Sequence, residues 1–351
     1  MEKIKVGVLG ATGTVGQRFI TLLDGHPWFE LAEVAASERS SGKTYEEAVA
    51  GRWKVSADIP AAVKKMAVRD VKPGLDCQVV FSAMDASMAG PAEEEFAAAG
   101  YYVFSNSRNH RYDDDVPILL PEINAEHVAI IEHQQKKRGW KGFIVTNANC
   151  SAMGLVIALK PLDVHFGLTA VNVVTMQAIS GAGYPGVASL DIIDNVIPYI
   201  GGEELKLERE PLKMLGRVEA GTTFVDAPFK ISAQCNRVFV LDGHLECTSV
   251  SVKKKPSKEE FTAALAGFKG RLQELKLPSA PEQPIIVRTE EDRPQPRFDR
   301  DHGRGMSVTV GRIRPCNIFD YKFLVLSHNT VRGAAGASIL NAEFLKAEGY
   351  F

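Results

Sequence analysis

The sequence lacks the features typical of secreted, metal-bound or membrane-spanning chains. Its five cysteines are an odd number, with no Cys-x-x-Cys pair and no paired histidines at metal-ligand spacing. No run of about 18 apolar residues occurs, and no apolar leader segment precedes the first glycines. We therefore expect reduced thiols, no bound metal, no membrane association and a cytoplasmic location.

Neither positive nor negative charge predominates in the sequence. The formal net charge is −2 over 351 residues, and Lys and Arg are scattered rather than gathered in a basic stripe. This distribution argues against nucleic acid as a partner and leaves a small molecule as the expected ligand. With 45% apolar and 24% charged residues, the chain has the composition of a globular protein, and its length predicts two domains.

The first half of the chain alternates short apolar runs with helical patterns. Residues 4–9, IKVGVL, predict a buried parallel strand that leads into a glycine-rich turn and a helix. Further strands are predicted at 30–37, 76–84, 100–107 and 141–149. This alternation predicts an α/β fold with a doubly wound sheet, that is, a Rossmann-like dinucleotide-binding domain.

The glycine-rich turn GATGTVG is the first candidate binding site. Glycine lets the backbone approach a pyrophosphate closely, and the helix that follows presents unpaired N–H groups and a positive dipole. The spacing Gly-x-x-Gly-x-x-Gly differs from the usual fingerprint, so a turn with glycines placed for packing is the alternative. The candidate cofactor residues of this turn are Gly10, Thr12, Gly13, Thr14, Val15 and Gly16.

The tip of the second strand bears on the choice between NAD and NADP. An acidic residue at this position would hold a ribose 2′-hydroxyl. The sequence ASERSSGK instead offers Ser37, Arg39 and Ser40 with Lys43, groups that suit a 2′-phosphate, although Glu38 argues the other way. We predict NADP, with a solvated polar loop as the alternative.

After about residue 150 the pattern changes to longer alternating runs. Residues 168–180 and 236–254 predict strands, and Asp242-Gly243 inside the second run predicts a hairpin turn. A capping-box pattern at 257–260 predicts the start of a helix. We expect an α+β domain with a mostly antiparallel sheet.

The chain ends in a strand pattern, KFLVLSHN, followed by a helical pattern over residues 330–351. The apolar side chains of that helix predict that it packs back on the first domain. We therefore assign 1–149 with 330–351 to the NADP-binding domain, and 150–329 to a catalytic and oligomerisation domain.

Cys150 is the candidate nucleophile. It follows the last predicted parallel strand and begins a helix, and ligands of open α/β sheets bind at the carboxyl ends of the strands. A helix N-terminus is expected to lower the pKa of this thiol. Asn149 and the backbone amides at the helix start could donate hydrogen bonds to an oxyanion.

A nucleophilic cysteine needs an acid/base partner. His244 lies just past a predicted tight turn, where a side chain can be held rigidly, and Arg237 on the preceding strand could bind a substrate carboxylate. His110, His165 and His328 are the other candidate bases.

In its motifs the chain resembles the aspartate-β-semialdehyde dehydrogenases of archaea and fungi. The motifs that carry this resemblance are GATGTVG, SNSRNHRYDDDVPILLPEIN, NANCSAMG, SGAGYPG, RVFVLDGH and HNTVRGAAG, which span nearly the whole chain. The resemblance implies Cys150 as nucleophile, His244 as acid/base and Gln177 as the residue that orients the substrate. It assigns Arg237, Arg111, Asn149, Glu203 and Lys206 to the substrate and phosphate, and Ser82, Ser180, Gly181, Gly183 and Asn329 to the cofactor.

The implied reaction is NADP-dependent reduction of β-aspartyl phosphate to aspartate β-semialdehyde through a cysteine thioester, in lysine, threonine and methionine biosynthesis. The resemblance also implies a homodimer or homotetramer. Ala148 and Phe239 stand where many relatives have proline. These departures leave acyl-CoA reduction, of malonyl- or succinyl-CoA, and N-acetylglutamyl phosphate reduction as alternatives. A non-catalytic NADP-binding redox sensor is the alternative from another class.

Overall fold

Six short strands, most of them apolar, form one sheet in the computed structural model, which describes residues 3–351. These strands are β1 (Ile4–Leu9), β2 (Phe29–Ala36), β3 (Val68–Asp70), β4 (Val79–Ser82), β5 (Tyr102–Ser105) and β6 (Phe143–Thr146). Their order is β3-β2-β1-β4-β5-β6, and all their pairings are parallel. The doubly wound sheet is thus confirmed, with β3 as a short edge strand that the sequence analysis does not predict.

Helices cover both faces of this sheet, and further helices belong to the second half of the chain. The helices are α1 (Thr14–Leu23), α2 (Tyr45–Ala48), α3 (Ala61–Lys64), α4 (Ala86–Ala98), α5 (Pro121–Asn124), α6 (Ile130–Arg138), α7 (Cys150–Phe166), α8 (Ser189–Ile192), α9 (Glu203–Met214), α10 (Lys258–Ala266), α11 (Arg271–Leu275), α12 (Pro296–Asp299) and α13 (Gly336–Ala347). Side chains alternate along each strand, so Val8 and Phe81 enter one hydrophobic cluster and Leu9 and Val80 enter another.

The strand order reverses between β1 and β4. In open α/β sheets this reversal leaves a crevice at the carboxyl ends of the two strands, where ligands bind. The segments that follow β1 and β4, beginning at Gly10 and Ala83, line a common cavity there. The topology therefore places the glycine-rich turn at the binding crevice.

The second half of the chain forms a mixed sheet and a small ribbon. The strands are β7 (Leu168–Gln177), β8 (Arg217–Glu219), β9 (Thr223–Val225), β10 (Lys230–Arg237), β11 (His244–Val252), β12 (Ile285–Val287), β13 (Val308–Pro315) and β14 (Tyr321–Ser327). The large sheet has the order β10-β7-β11-β14-β13-β12, while β8 pairs with β9. Its central pairings, β7 with β11, β11 with β14 and β14 with β13, are antiparallel, and both edge pairings are parallel.

The hairpin predicted around Asp242-Gly243 is wrong. Strands β10 and β11 are not neighbours, because β7 lies between them. Residues 238–243 cross the end of β7, where the amide of Ile179 donates to Val240 O at 2.8 Å. A two-residue turn spans only neighbouring strands about 4.8 Å apart, so the intervening strand requires this longer crossing.

Helix α7 joins the two sheets. It starts directly after β6, and its apolar residues, from Ala152 to Leu162, are buried in the core of the second sheet. Asn149 caps its first turn, with the side-chain oxygen accepting from the amides of Ser151 and Ala152. The capping box predicted at Ser257 and Glu260 is confirmed at the start of α10.

The last helix packs on the first sheet. A π-helical turn, Val331–Ala335, precedes α13. The side chains of Ile339, Leu340, Phe344 and Leu345 lie in the same hydrophobic cluster as Phe19 of α1. The carboxyl end of the chain therefore contributes to the core around the glycine-rich turn.

Replacing Leu340 with Ala is expected to lower the free energy of unfolding by about 2–5 kcal/mol, because a fully buried side chain would leave a cavity in the first core. Chemical denaturation measures the change. Val164→Ala is the control, since Val164 is exposed and should shift the midpoint little. Equal effects of the two substitutions would contradict the tight packing of α13.

Candidate active site

Two neighbouring cavities form a trough across the carboxyl ends of the parallel strands. One, of about 870 Å³, is lined by the glycine-rich turn and the tip of β2. The other, of about 380 Å³, contains Cys150. Both are lined by Met84 and Asp85, which places the cavities side by side. An extended dinucleotide laid along such a trough would bring one end to the thiol.

The three glycines of the turn have different surroundings. A Cβ on Gly10 would lie 2.7 Å from Ala83 O, and one on Gly16 would lie 2.3 Å from Gly10 O. A Cβ on Gly13 would meet no protein atom closer than Gly10 O at 3.5 Å, so it would enter the open cavity. Gly10 and Gly16 thus permit close packing, while Gly13 leaves space for a ligand.

Some of the remaining cofactor candidates line one of the two cavities, and the others are buried away from them. Thr12, Ser37 and Arg39 line the larger cavity, and Thr14 and Val15 line the smaller one. The structure does not bring Ser40 and Ser82 to the cavity surface, because both are buried. The hydroxyl of Ser82 donates to Glu93 Oε1 at 2.5 Å, beneath the trough.

Cys150 lines the smaller cavity, and the fully buried His244 lies behind it. The thiol comes from the start of α7 and the imidazole from the start of β11, and their Sγ and Nε2 atoms are 3.2 Å apart. Gly333 of the carboxyl-terminal π turn permits this arrangement, since a Cβ there would lie 2.7 Å from the Cβ of Cys150. Three distant segments of the chain converge on the sulfur.

The orientation of His244 is fixed by the backbone of the residue after β7. The amide of Ala178 donates to Nδ1 at 3.0 Å. Because Nδ1 accepts a hydrogen bond, the neutral ring carries its proton on Nε2, facing Cys150. Burial and the nearby Arg237 guanidinium lower the pKa of His244 to about 3, which keeps the ring neutral. His244 therefore presents an N–H donor to the sulfur.

The thiol pKa differs from the sequence-based expectation. The start of a helix favours a thiolate, but burial outweighs this effect and, together with the Glu203 carboxylate, raises the pKa of Cys150 to about 12. Arg111, Arg237 and Lys206 act in the opposite direction. In the ligand-free protein the sulfur is therefore protonated at neutral pH.

Asn149 uses both its side-chain oxygen and its Nδ2 group in hydrogen bonds within the protein. Its side-chain oxygen caps α7, and its Nδ2 donates to Glu203 Oε1 at 2.7 Å. The amides of Ser151 and Ala152 are occupied by the same cap. Asn149 thus shapes the site through its side-chain oxygen and one N–H of Nδ2, and the second N–H of Nδ2 is left for a substrate oxygen.

Gln177 and Arg237 end adjacent strands and lie side by side in register. One guanidinium nitrogen of Arg237 donates to Ala178 O at 2.7 Å. The Nε2 of Gln177 is buried and, among residues 3–351, has no hydrogen-bond partner. An unpaired buried donor of this kind suits a bound polar substrate.

The phosphate candidates line the same cavity as Cys150. Arg111, Glu203 and Lys206 are all found there. Lys206 Nζ pairs with Glu203 Oε2 at 2.8 Å, so these two residues lie together at the site. Asn106, Ser107 and Arg108 also line this cavity; they were not predicted as site residues, although all three belong to the motif SNSRNHRYDDDVPILLPEIN.

The nicotinamide candidates surround the turn after β7. Ser180, Gly181, Gly183 and Asn329 line the cavity. Asn329 also connects two loops, since its Oδ1 accepts from the amide of Gly243 and its Nδ2 donates to Ser180 Oγ, each at 2.8 Å. It therefore holds the turn that precedes His244.

The alternative histidines lie elsewhere. His110 is buried and pairs with Asp113, His165 is exposed at the far end of α7, and His328 lies behind Asn329 near Asp301. His244 is the histidine that the structure places against Cys150.

A dinucleotide-sized trough that leads to a cysteine–histidine pair defines the class of dehydrogenases that act through a thiol nucleophile. Residues 5–131 match the family model described as the NAD-binding domain of semialdehyde dehydrogenase, and residues 159–332 match its dimerisation domain. An aspartate-semialdehyde dehydrogenase from Archaeoglobus fulgidus is 53% identical over 99% of both chains. One from Candida albicans is 49% identical over 99% of both chains.

A solved structure agrees with these relatives. The structure of aspartate-semialdehyde dehydrogenase with NADP from Candida albicans has a TM-score of 0.92, at 47% identity, covering 99% of this chain and 100% of that one. The chain therefore belongs to the aspartate-semialdehyde dehydrogenase family.

Gly13→Ala is expected to weaken NADPH binding about tenfold, because the added methyl group enters the cavity without disturbing the fold. Gly16→Ala should instead destabilise the first domain, since its Cβ would collide with Gly10 O. Fluorescence titration with NADPH measures the first effect, and thermal unfolding measures the second. Unchanged affinity in Gly13→Ala would place the pyrophosphate elsewhere.

Glu203→Gln is expected to speed alkylation of Cys150 by iodoacetamide several-fold, and Lys206→Met to slow it, because these charges raise and lower the thiol pKa. In the unsubstituted protein the rate should rise about tenfold per pH unit between about pH 7 and 9, where the thiolate fraction grows with pH. A rate that reaches its plateau near pH 6 would contradict the raised pKa.

Proposed function

We propose that this chain is an NADP-dependent, phosphorylating aspartate-semialdehyde dehydrogenase that interconverts β-aspartyl phosphate and aspartate β-semialdehyde. The observation that carries the proposal is the 3.2 Å contact between Cys150 Sγ and His244 Nε2 in a cavity that adjoins the glycine-rich turn. Relatives at 53% and 49% identity bear this enzyme's name. The reaction serves lysine, threonine and methionine biosynthesis.

The cofactor site fits NADP. The open space beside Gly13 admits a pyrophosphate, and the positive end of α1 faces it. Ser37 and Arg39, exposed at the tip of β2, would hold a 2′-phosphate at the far end of the larger cavity. When bound, NADPH supplies a hydride to the acyl carbon held at Cys150.

Cys150 forms and releases the acyl group. It attacks the acyl carbon as a thiolate; the carbon–sulfur bond forms as the bond to the phosphate oxygen breaks, and the thiol proton leaves with the departing phosphate. After reduction the sulfur departs as a thiolate again. The Nε2–H of His244, 3.2 Å from the sulfur, stabilises negative charge on the thiolate and on the nearby substrate oxygen.

The charged residues of the site hold the two anionic ends of the substrate. Arg237 binds the carboxylate, and the unpaired Nε2 of Gln177 beside it donates to the same substrate. Arg111 and Lys206 supply positive charge for the phosphate. Holding both ends near the thiol supplies orientation, which can account for several kcal/mol of the barrier.

The active protein is proposed to be a homodimer or homotetramer in the cytoplasm. A match to a dimerisation domain supports self-association. Several large apolar side chains between residues 184 and 205 are exposed in the single chain: Tyr184, Leu190, Ile193, Val196, Tyr199 and Leu205. A patch of this kind is typical of a subunit interface. All five cysteines are free thiols, as expected in a reducing compartment.

No helix within residues 3–351 is long and apolar enough to span a bilayer.

Oxidation of aspartate semialdehyde with NADP and phosphate is expected to be rapid, and Cys150→Ser should reduce turnover at least about a thousandfold, because a serine hydroxyl is a weaker nucleophile. NADPH absorbance follows the reaction. Cys316→Ser, a thiol remote from the cavity, is the control and should retain activity.

The same assay separates the alternatives. Aspartate semialdehyde should be preferred over malonyl-CoA or succinyl-CoA with NADPH, and over N-acetylglutamate semialdehyde with NADP and phosphate. Faster turnover of any of these would contradict the proposed substrate. NADP binding without turnover of any of them would indicate a non-catalytic protein.

A further inference from the structure

One face of α9 is directed at the active site. Glu203, Lys206, Glu210 and Lys213 recur at spacings of three and four residues, which place them on the same side of a helix. The first two line the cavity around Cys150. The other two lie deeper, and neither the sequence motifs nor the proposed function gives them a role.

Glu210 connects two parts of the site. Its side chain is fully buried; Oε1 accepts from Arg111 Nη1 at 3.0 Å, and Oε2 accepts from the backbone amide of Asn149. Asn149 is the residue immediately before Cys150. A single carboxylate therefore joins the guanidinium on the phosphate side to the backbone that carries the nucleophile.

Lys213 holds the backbone of the loop that carries Arg111. Its Nζ donates to the carbonyl oxygens of Arg111, Asp113 and Val116, at 2.9, 2.8 and 2.8 Å. Burial lowers the pKa of this ammonium group to about 8. Helix α9 thus holds the main chain of Arg111 through Lys213 and the side chain of Arg111 through Glu210.

Arg111 has guanidinium N–H groups left for a ligand. Its Nη2 donates to Asn106 O at 3.0 Å and its Nη1 to Glu210, while Nε is buried with no hydrogen-bond partner in the part of the chain that the structure describes. The residue lines the cavity next to Cys150. Two of the five guanidinium N–H groups are therefore held, and the others, that of Nε included, are left for a ligand at the cavity.

We propose that Glu210 is a positioning residue for the phosphate step, acting by holding Arg111 at a fixed distance from Cys150. The inference rests on the proposed function, in which Arg111 binds phosphate. A glutamine at this position presents one oxygen and one NH₂ group to two donors, so it can satisfy either Arg111 or the Asn149 amide but not both. Arg111 or the start of α7 then loses its fixed position.

The test is steady-state kinetics of Glu210→Gln in the direction that consumes phosphate. The KM for phosphate is expected to rise about tenfold with a fall in kcat, while the KM for aspartate semialdehyde stays within about twofold. Glu208→Gln is the matched control, since it removes the same charge from α9 but contacts the amide of Ala233 rather than Arg111. It should leave both constants unchanged.

A double variant distinguishes positioning from general damage. If Glu210 acts through Arg111, Glu210→Gln should add nothing to the phosphate KM in an Arg111→Met background. Multiplied effects in the double variant, or a parallel rise in both KM values, would overturn the proposal. An unsubstituted enzyme with no phosphate-dependent turnover would instead refute the proposed function, and with it this role.

Lys213→Met provides a second measurement if Glu210→Gln does not fold. Loss of the three carbonyl contacts should loosen the loop at Arg111 and give the same selective rise in the phosphate KM. Circular dichroism checks that each variant is folded. A folded Lys213→Met variant with an unchanged phosphate KM would contradict the role of α9 in positioning Arg111.

Discussion

The hydrogen-bond contact between Cys150 and His244 is the point on which the rest of the structure depends. The two residues are 94 positions apart, one at the start of helix α7 and the other at the start of β11, yet Sγ and Nε2 are 3.2 Å apart. Helix α7 must begin where β6 ends, β11 must begin beside β7, and Gly333 must approach without a side chain. Each of these conditions comes from a separate part of the core. A small error in any of them would separate the sulfur from its donor, and catalysis is sensitive to shifts of about 1 Å.

The charges around the sulfur explain why this site suits an anionic substrate. Arg111, Arg237 and Lys206 surround the thiol, and Glu203 is the carboxylate that opposes them. Burial keeps the sulfur protonated and His244 neutral in the ligand-free state, so the resting site holds a net excess of cations. A substrate with a carboxylate at one end and a phosphate at the other complements that excess. Glu210 offsets one of these cations through its buried pair with Arg111 and adds rigidity, and the three cations still outnumber the two carboxylates.

The sequence was sufficient for features that depend on neighbouring residues. The parallel strands, the capping box at Ser257 and the helix that begins at Cys150 follow from local patterns, and all are present. Features that depend on distant segments were not predictable. The sequence pattern around Gly243 is that of a hairpin, but pairing of β7 with both β10 and β11 separates those strands. Likewise, a helix start lowers a thiol pKa locally, whereas the burial that reverses the effect arises from the assembled core. Glu210 resembles an ordinary solvated residue of an amphipathic helix until the fold places Arg111 against it.

Identification of the acyl-enzyme tests the central claim most directly. The enzyme is mixed with aspartate semialdehyde and NADP without phosphate, quenched in acid, digested and analysed by mass spectrometry. The account predicts an aspartyl adduct on the peptide that contains Cys150, and its disappearance when phosphate is added before the quench. An adduct on a different residue, or turnover with no adduct on any peptide, would contradict it.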